Sequence, residues 1–449
     1  FVSYREIGNE DLFGVLKDME LANLVRGKSS REILLITGIY AREDGTGDSG
    51  VIRDAPQQLL VEVLAKELEK NYSFALFVAE RGTVTKEVVY VLERQGFIRP
   101  HMADENDKRT IYMVDMHEPL MFLHNLDTTI KEPFASNPAV LDAVEKNHKK
   151  LQIAMTKLYP GNLVLSLSSG IMYHRLVDRI TALNDVPREP LVPRRLGKNM
   201  CVPFGKILRG KVAPNTVTKT LHTDKVYEPD LNSFTIEPFP YYSPLKSQIE
   251  TIKSFDRPVI LVDDLVHKAD RLQVLVPQLR EDGIPIRKVV VGVLSGYGRD
   301  LMQCLKVPVE SIYSMPNLRQ WFVESTLYPF IGGDTVRREE MKVAGLQPSI
   351  NMILPYATPR LSGCSREALV EFSACCIENS KNLFQILEAE YRKMYAKNLT
   401  LSRLSEAVIL PLCPDKGSCM EYDENLAASV YLENDLETLW RMKEFLIKG

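Results

Sequence analysis

No stretch of the 449 residues reaches 18 uninterrupted apolar positions, so the sequence predicts no membrane-spanning helix. The opening FVSYREIGNEDLF has no basic segment leading into an apolar one, and without that secretory layout the chain is expected in the cytosol. Its first residue is Phe rather than Met, so further sequence is expected ahead of it. The seven cysteines (Cys201, Cys304, Cys364, Cys375, Cys376, Cys413, Cys419) are odd in number and never spaced as C-x-x-C. That excludes a disulfide framework or a zinc knuckle and leaves reduced thiols. H-E-x-x-H, G-x-x-x-x-G-K-[ST] and G-x-S-x-G are all missing, which removes zincins, P-loop nucleotidases and ordinary α/β-hydrolases. There is no excess of positive charge, with 56 Lys and Arg against 59 Asp and Glu and a net charge of −3. No general field therefore gathers nucleic acid or an anionic membrane, and any phosphate site must be local.

What is present is ordinary globular composition, 45% hydrophobic and 26% charged, in a chain long enough for two or three cores at roughly 150 residues each. The run ILLITGIY at 33–40 reads as a buried strand leaving a Gly/Asp-rich loop, EDGTGDSG. Helical spacing of Leu60, Val63, Leu64 and Leu68 follows just after Pro56, then a strand at 74–79, a helix at 83–95 stopped by Gly96, and a strand at 110–116. Residues 125–160, including Lys-Asn-His-Lys-Lys at 146–150, read as a connecting helix whose charge run is a solvated face. NLVLSLSSG at 162–170 is a strand running into a helix, on which His174 sits among apolar neighbours as a core residue.

Between 185 and 242 scattered prolines and glycines replace any periodicity, the mark of a long insertion that is a functional lid or an irregular β-hairpin region. Order returns with a helix at 245–254, the strand Pro258–Asp264 (PVILVDD), a helix at 269–280 and the strand Lys288–Leu294 (KVVVGVL). Strands apolar at every position with one helix between them indicate a parallel sheet buried on both faces. The acids Asp263 and Asp264 then sit at the carboxyl edge of that sheet, where ligands of open α/β folds bind. Two adjacent acids there suit a ribose diol and, through water, a magnesium ion. Ser295-Gly-Tyr-Gly-Arg-Asp300 and Gly332-Gly333-Asp334 are read as tight turns, and His222 and His267 as candidates for phosphate contact or proton transfer. Helices are expected at 365–395, with one break near Asn379, and at 435–447.

Two family resemblances sharpen this. VILVDDLVHKADRL at 259–272 resembles the phosphoribosyl pyrophosphate motif of type I phosphoribosyltransferases, which has apolar residues, two acids, two apolar residues and then Thr-Thr-Gly-x-Thr. The resemblance spans roughly 158–330. It implies ribose binding by Asp263 and Asp264, a pyrophosphate loop at Ser168, Ser169 and Gly170, a mobile hood carrying Lys219 and Lys225, and Mg²⁺ held by the acid pair. In place of the family's hydroxyl-rich phosphate loop stands His267-Lys268-Ala269-Asp270-Arg271. There Lys268 and Arg271 could meet the phosphate by direct charge pairing.

The N-terminal element order and VLERQGFIRP at 91–100 resemble the Gcn5-related acetyltransferases. The residues matching that family's pyrophosphate loop, Arg53 to Gln58, lack its small positions, and Pro56 has no N–H to give. The pairing of two such units is also similar to bacterial composite proteins described as cytidyltransferase-related. The expected protein is thus α/β. It has an acetyltransferase-like domain over 1–125, a connecting helix over 126–157, a phosphoribosyltransferase-like domain over 158–335 with a hood at 185–242, and a mainly helical region over 336–449 that could form a homodimer surface. Its expected function is binding of a nucleotide or phosphoribosyl pyrophosphate, with transfer of the phosphoribosyl group, non-catalytic regulation and acyl transfer left open.

Overall fold

The computed structural model describes residues 1–28, 32–40, 55–70, 72–80, 82–100, 108–193, 195–240, 242–338, 346–416 and 421–448, with side chains to 445. The Gly/Asp-rich loop at 43–50, Arg53 and Asp54 of the stretch compared with the acetyltransferase pyrophosphate loop, and Cys419 lie outside them.

The elements in chain order are β1 (Val2–Ile7), α1 (Leu12–Leu16), α2 (Met19–Lys28), β2 (Ile33–Ile39), α3 (Ala55–Glu67), β3 (Phe74–Glu80), α4 (Lys86–Glu93) and β4 (Arg109–His124). Next come α5 (Pro138–Leu158), β5 (Asn162–Ser168), α6 (Ser169–Leu183), β6 (Met200–Pro203), β7 (Val217–Thr218), β8 (Thr223–Tyr227), β9 (Phe234–Pro238) and α7 (Leu245–Lys253). Then follow β10 (Val259–Val266), α8 (Asp270–Glu281), β11 (Ile286–Ser295), α9 (Gly296–Cys304), β12 (Val309–Met315), β13 (Gln320–Val323) and β14 (Asp334–Val336). The chain ends with β15 (Gln347–Ile350), α10 (Arg366–Tyr395), β16 (Leu412–Pro414) and α11 (Ala428–Lys448). Among the described residues no helix is long and apolar enough to cross a membrane.

These make a mixed α/β protein, with three sheets among the described residues and a helical C-terminal layer. The first sheet runs β1-β2-β3-β4-β13, with β5 also on β4; the second runs β12-β11-β10-β6-β7; the third runs β16-β15-β14-β8-β9. The second is parallel throughout. Its central strand splits its side chains between two cores, Ile260 and Val262 to one and Val259 and Leu261 to the other. Burial on both faces is what an unbroken apolar run encodes. Helices α3 and α6 touch both the first and second sheets and form the layer between them.

Three features differ from the reading of the sequence. The stretch 185–242 supplies β6, which pairs with β10 at the heart of the second sheet. Four residues ending in proline are too few to show a period, so the sequence there looks like loop. The strand β5, expected beside β10, pairs instead with β4 in the first sheet. Helix α10 is continuous through Asn379, whose amide donates to the Asn147 carbonyl and anchors α5.

The strand β4 is sixteen residues long and serves two halves of the molecule. Its first half pairs antiparallel with β3, while Leu120–Leu123 is flanked by β5 on one edge and β13 on the other. A register shift between Asp115 and Leu120 holds Pro119, which has no N–H for a ladder.

Gly96 ties α4 to this sheet. Its φ is +89°, and a Cβ there would collide with the Asn162 carbonyl oxygen at the start of β5. Gly96→Ala is expected to cost about 3 kcal/mol, from the left-handed backbone and the displaced strand together. Chemical denaturation checks this; an unchanged midpoint would contradict the contact.

Candidate functional site

Strand β10 ends where its two acids meet the loop after β6, and the adjacent carboxylates have different partners. Asp264 accepts the Lys206 N–H at 2.6 Å on one oxygen and the Ile207 N–H at 3.0 Å on the other. Among the described residues Asp263 accepts only the neighbouring Asp264 N–H at 2.9 Å, with the Arg271 guanidinium 4.0 Å away. The approach is close enough that a Cβ on Gly205 would lie 2.5 Å from Asp264 Oδ1 and 2.8 Å from Asp263 Oδ1. Only glycine fits there.

Burial pushes the Asp263 carboxyl up to about 7, against the pull of Arg271 and with the Asp264 charge adding to the rise. Near neutral pH it exchanges between a carboxylic acid and a carboxylate.

A cleft of about 390 Å³ opens on this edge. Lys206 enters from the β6 loop; Lys225 and Tyr227 come from β8, Asp334 from β14 and Trp321 from β13. Burial draws the Lys206 amine below its ordinary range, opposed by Asp334, and raises the Asp334 carboxyl, opposed by Lys206 and Lys225. Burial also acts against the charge of Lys225, but its bond to Asp270 at 2.8 Å outweighs this and holds the amine above the usual value.

His267 is kept below its usual range by burial and by Lys268. Its Nδ1 lies 2.8 Å from Ser295 Oγ, and its ring packs against Trp321 at 5.0 Å and Tyr297 at 5.7 Å. Ser295 in turn caps α9 by accepting the Gly298 N–H at 3.0 Å. The glycines of that turn serve backbone packing: a Cβ on Gly296 would sit 2.5 Å from the Pro316 carbonyl, and one on Gly298 would collide with the Val266 carbonyl.

Two features of the loop after β10 bear on whether an anion could bind at the start of α8. Ala269, at the start of α8, has φ +53° and ψ +24°, a left-handed conformation that glycine adopts without strain. Asp270 then places a carboxylate in the first turn of α8, paired with Lys225. The positive helix end that would attract a phosphate already faces an anion of the protein's own.

Of the residues expected at the site, Asp263, Asp264, His267, Lys268, Arg271 and Lys225 line one cleft. Lys219 does not line it; the side chain is exposed and its N–H donates to the Cys201 carbonyl. Ser168 and Ser169 line a different cavity of about 600 Å³, because β5 lies in the first sheet. Ser168 is the N-cap of α6, accepting the Ile171 N–H at 3.5 Å, and Gly170 is exposed. His222 stacks on Tyr242 at 3.8 Å away from the cleft, and His174 is exposed against Arg188 rather than in a core. As a magnesium site the acid pair fits poorly, since both oxygens of Asp264 are committed to backbone N–H groups and Asp263 faces Arg271.

Sequence reading did not single out Lys206, Trp321, Tyr227 or Asp334 as site residues. They come from four separate elements with no local motif; only Asp334 stood in a noticed turn.

No known family model and no curated protein matches the chain in sequence. Among solved structures, the purine phosphoribosyltransferase from Pyrococcus horikoshii Ot3 aligns with 34% of this chain and 87% of its own, at 12% identity and a TM-score of 0.23. A likeness at that level decides neither fold nor chemistry. The site has to be read from its own residues.

Proposed function

We propose that the cleft at the carboxyl edge of β10 binds a phosphorylated ribose, either a nucleotide or a phosphoribosyl donor. The observation that carries this is the convergence of a carboxylate with free lone pairs, Asp263, with cations and a ring face in one cleft. An ionised Asp263 accepts hydrogen bonds from vicinal hydroxyls, as a diol requires. Lys206, Lys268 and Arg271 supply charge for a phosphate, and Trp321 offers an aromatic surface for a base.

Binding without turnover is the form of this reading that the phosphate loop favours, because the Asp270 carboxylate competes with an incoming phosphate at the end of α8. No step through a metal is needed. The N-terminal order β2, α3, β3, α4, β4 supports an acetyltransferase-like layout used as a scaffold, with Pro56 in the first turn of α3 and no N–H to offer an acyl-CoA pyrophosphate there.

The test is a thermal-shift screen of the whole chain against ribose 5-phosphate, phosphoribosyl pyrophosphate and nucleoside mono-, di- and triphosphates. At least one is expected to raise the melting temperature by several degrees at saturating concentration. The shift should disappear in Asp263→Asn and in Lys206→Met, and Asp270→Asn should tighten binding about 3- to 10-fold by removing the competing charge. No shift with any compound, or a shift unchanged in both of the first two variants, removes this reading.

A further inference from the structure

The larger cavity carries a second chemistry, on the far end of β4. His124 closes that strand, His148 projects from the middle of α5, and Glu324 follows β13 directly. The ligating atoms of these three side chains all lie within 4.8 Å of one another. Glu324 is almost wholly buried, with 2% of its side chain exposed, and it is approached by two imidazoles: His148 Nδ1 at 3.3 Å and His124 Nδ1 at 3.6 Å. Those separations are long for hydrogen bonds to a carboxylate, which run about 2.7–2.9 Å. They match a shared ion instead: two donor atoms each about 2.1 Å from a metal and at a tetrahedral angle lie about 3.4 Å apart. The His124 Nδ1 atom is also buried with no hydrogen-bond partner among the described residues, an unsatisfied polar position in the middle of the trio.

We propose that His124, His148 and Glu324 hold a divalent transition-metal ion of the zinc class. Two imidazole nitrogens and one carboxylate form a borderline donor set that suits Zn²⁺ or its neighbours and not Mg²⁺ or Ca²⁺, which take oxygen ligands. Three protein ligands leave a coordination position, and it faces the 600 Å³ cavity that Ser168, Ser169 and Asp127 help to line. An open position on a roomy cavity is the arrangement of a metal that meets a small-molecule ligand, whereas structural zinc sites are closed. Behind the ligands, the buried Arg94 donates through Nε to Gln152 Oε1, and the Gln152 amide nitrogen lies 3.2 Å from His124 Nε2. When Nδ1 binds the metal the imidazole proton sits on Nε2, so Gln152 accepts it only by turning its amide and giving up the bond from Arg94 Nε. Gln152→Glu supplies that acceptor outright while keeping the bond to Arg94.

The experiment uses the whole chain, stripped with a chelator and titrated with Zn²⁺ by competition against a chromogenic chelator, and with Co²⁺ by visible absorption. One equivalent of Zn²⁺ is expected to bind with a dissociation constant of about 1 µM or tighter, and Co²⁺ should give the intense bands of a low-coordinate site. His148→Ala and Glu324→Gln should each weaken binding about 100-fold or more, Gln152→Glu should tighten it, and the exposed His174→Ala should leave it unchanged. Absence of saturable binding to the wild-type chain overturns the proposal, as does a bound equivalent that survives His148→Ala combined with Glu324→Gln. Because the first of these needs no variant, a substitution that fails to fold cannot shield the proposal.

Discussion

Replacing Asp264 with alanine is expected to lower the unfolding free energy by about 3–5 kcal/mol and to close the cleft. The carboxylate is the acceptor for two successive backbone N–H groups, those of Lys206 and Ile207. Hydrogen bonds to a charged partner contribute about 1.5–3 kcal/mol each, and a half-buried N–H left without an acceptor keeps its full desolvation cost. The loop they belong to follows β6, passes over the acid pair at Gly205 and delivers Lys206 to the cleft, so its release should remove that amine along with the stability. Asp264→Asn keeps one acceptor oxygen and should fall between wild type and Asp264→Ala. Urea denaturation at pH 7 measures this; a loss below 1 kcal/mol for the alanine variant would mean that the loop holds its shape without the carboxylate.

The neighbouring acid is expected to act in the opposite direction. Burial raises the Asp263 carboxyl from an ordinary value near 3.8 to about 7. Between those values the unfolded chain is ionised while the folded chain still holds the proton. Stability therefore falls as pH rises through that window, and the full cost is present above it. Asp263→Asn removes the titration. It should match wild type near pH 4 and exceed it by about 2–4 kcal/mol at pH 8, with the gain growing between the two. Equal differences at both pH values would show that Asp263 is not strained by its burial. The same variant is predicted to lose ligand binding, and that pairing is informative: a charge that destabilises the fold and is needed by the site is the usual signature of function retained at the expense of stability. Affinity for a ribose diol should likewise rise from pH 6 to pH 8, as Asp263 becomes an acceptor.

The sequence made the second sheet legible where its segments were long and uniform. PVILVDD and KVVVGVL are apolar on both faces because both faces are buried, and a helix of the right length joins them, so β10, α8 and β11 appear within one or two residues of where the pattern puts them. It also located the acids, since a strand's end and the turn after it are local events. Missing were the facts created only by long-range pairing. β6 is four residues long, and its place beside β10 depends on a partner some sixty positions away, which no local period records. Lys206, Tyr227, Trp321 and Asp334 meet because three sheets meet. The run at 146–150 shows the same limit: Lys-Asn-His-Lys-Lys reads as a solvated face, yet Asn147 is buried against α10 and His148 turns inward to Glu324, 176 residues away. The charges on either side hid the two residues that matter.

The long strand β4 also sets a timetable. Its second half has one edge covered by β5, which leaves the ribosome soon afterwards, and the other by β13. That second cover lies 200 positions downstream, as in the pairing of Leu120 with Gln320. At about 5–20 residues per second, synthesis leaves that edge bare for roughly 10–40 s. During this interval Leu120–Leu123, an apolar stretch with unpaired N–H and C=O groups on one edge, is open to pairing with another chain. A chaperone that engages the chain should therefore be found on intermediates that end before β13, and leave once Trp321 has taken its place.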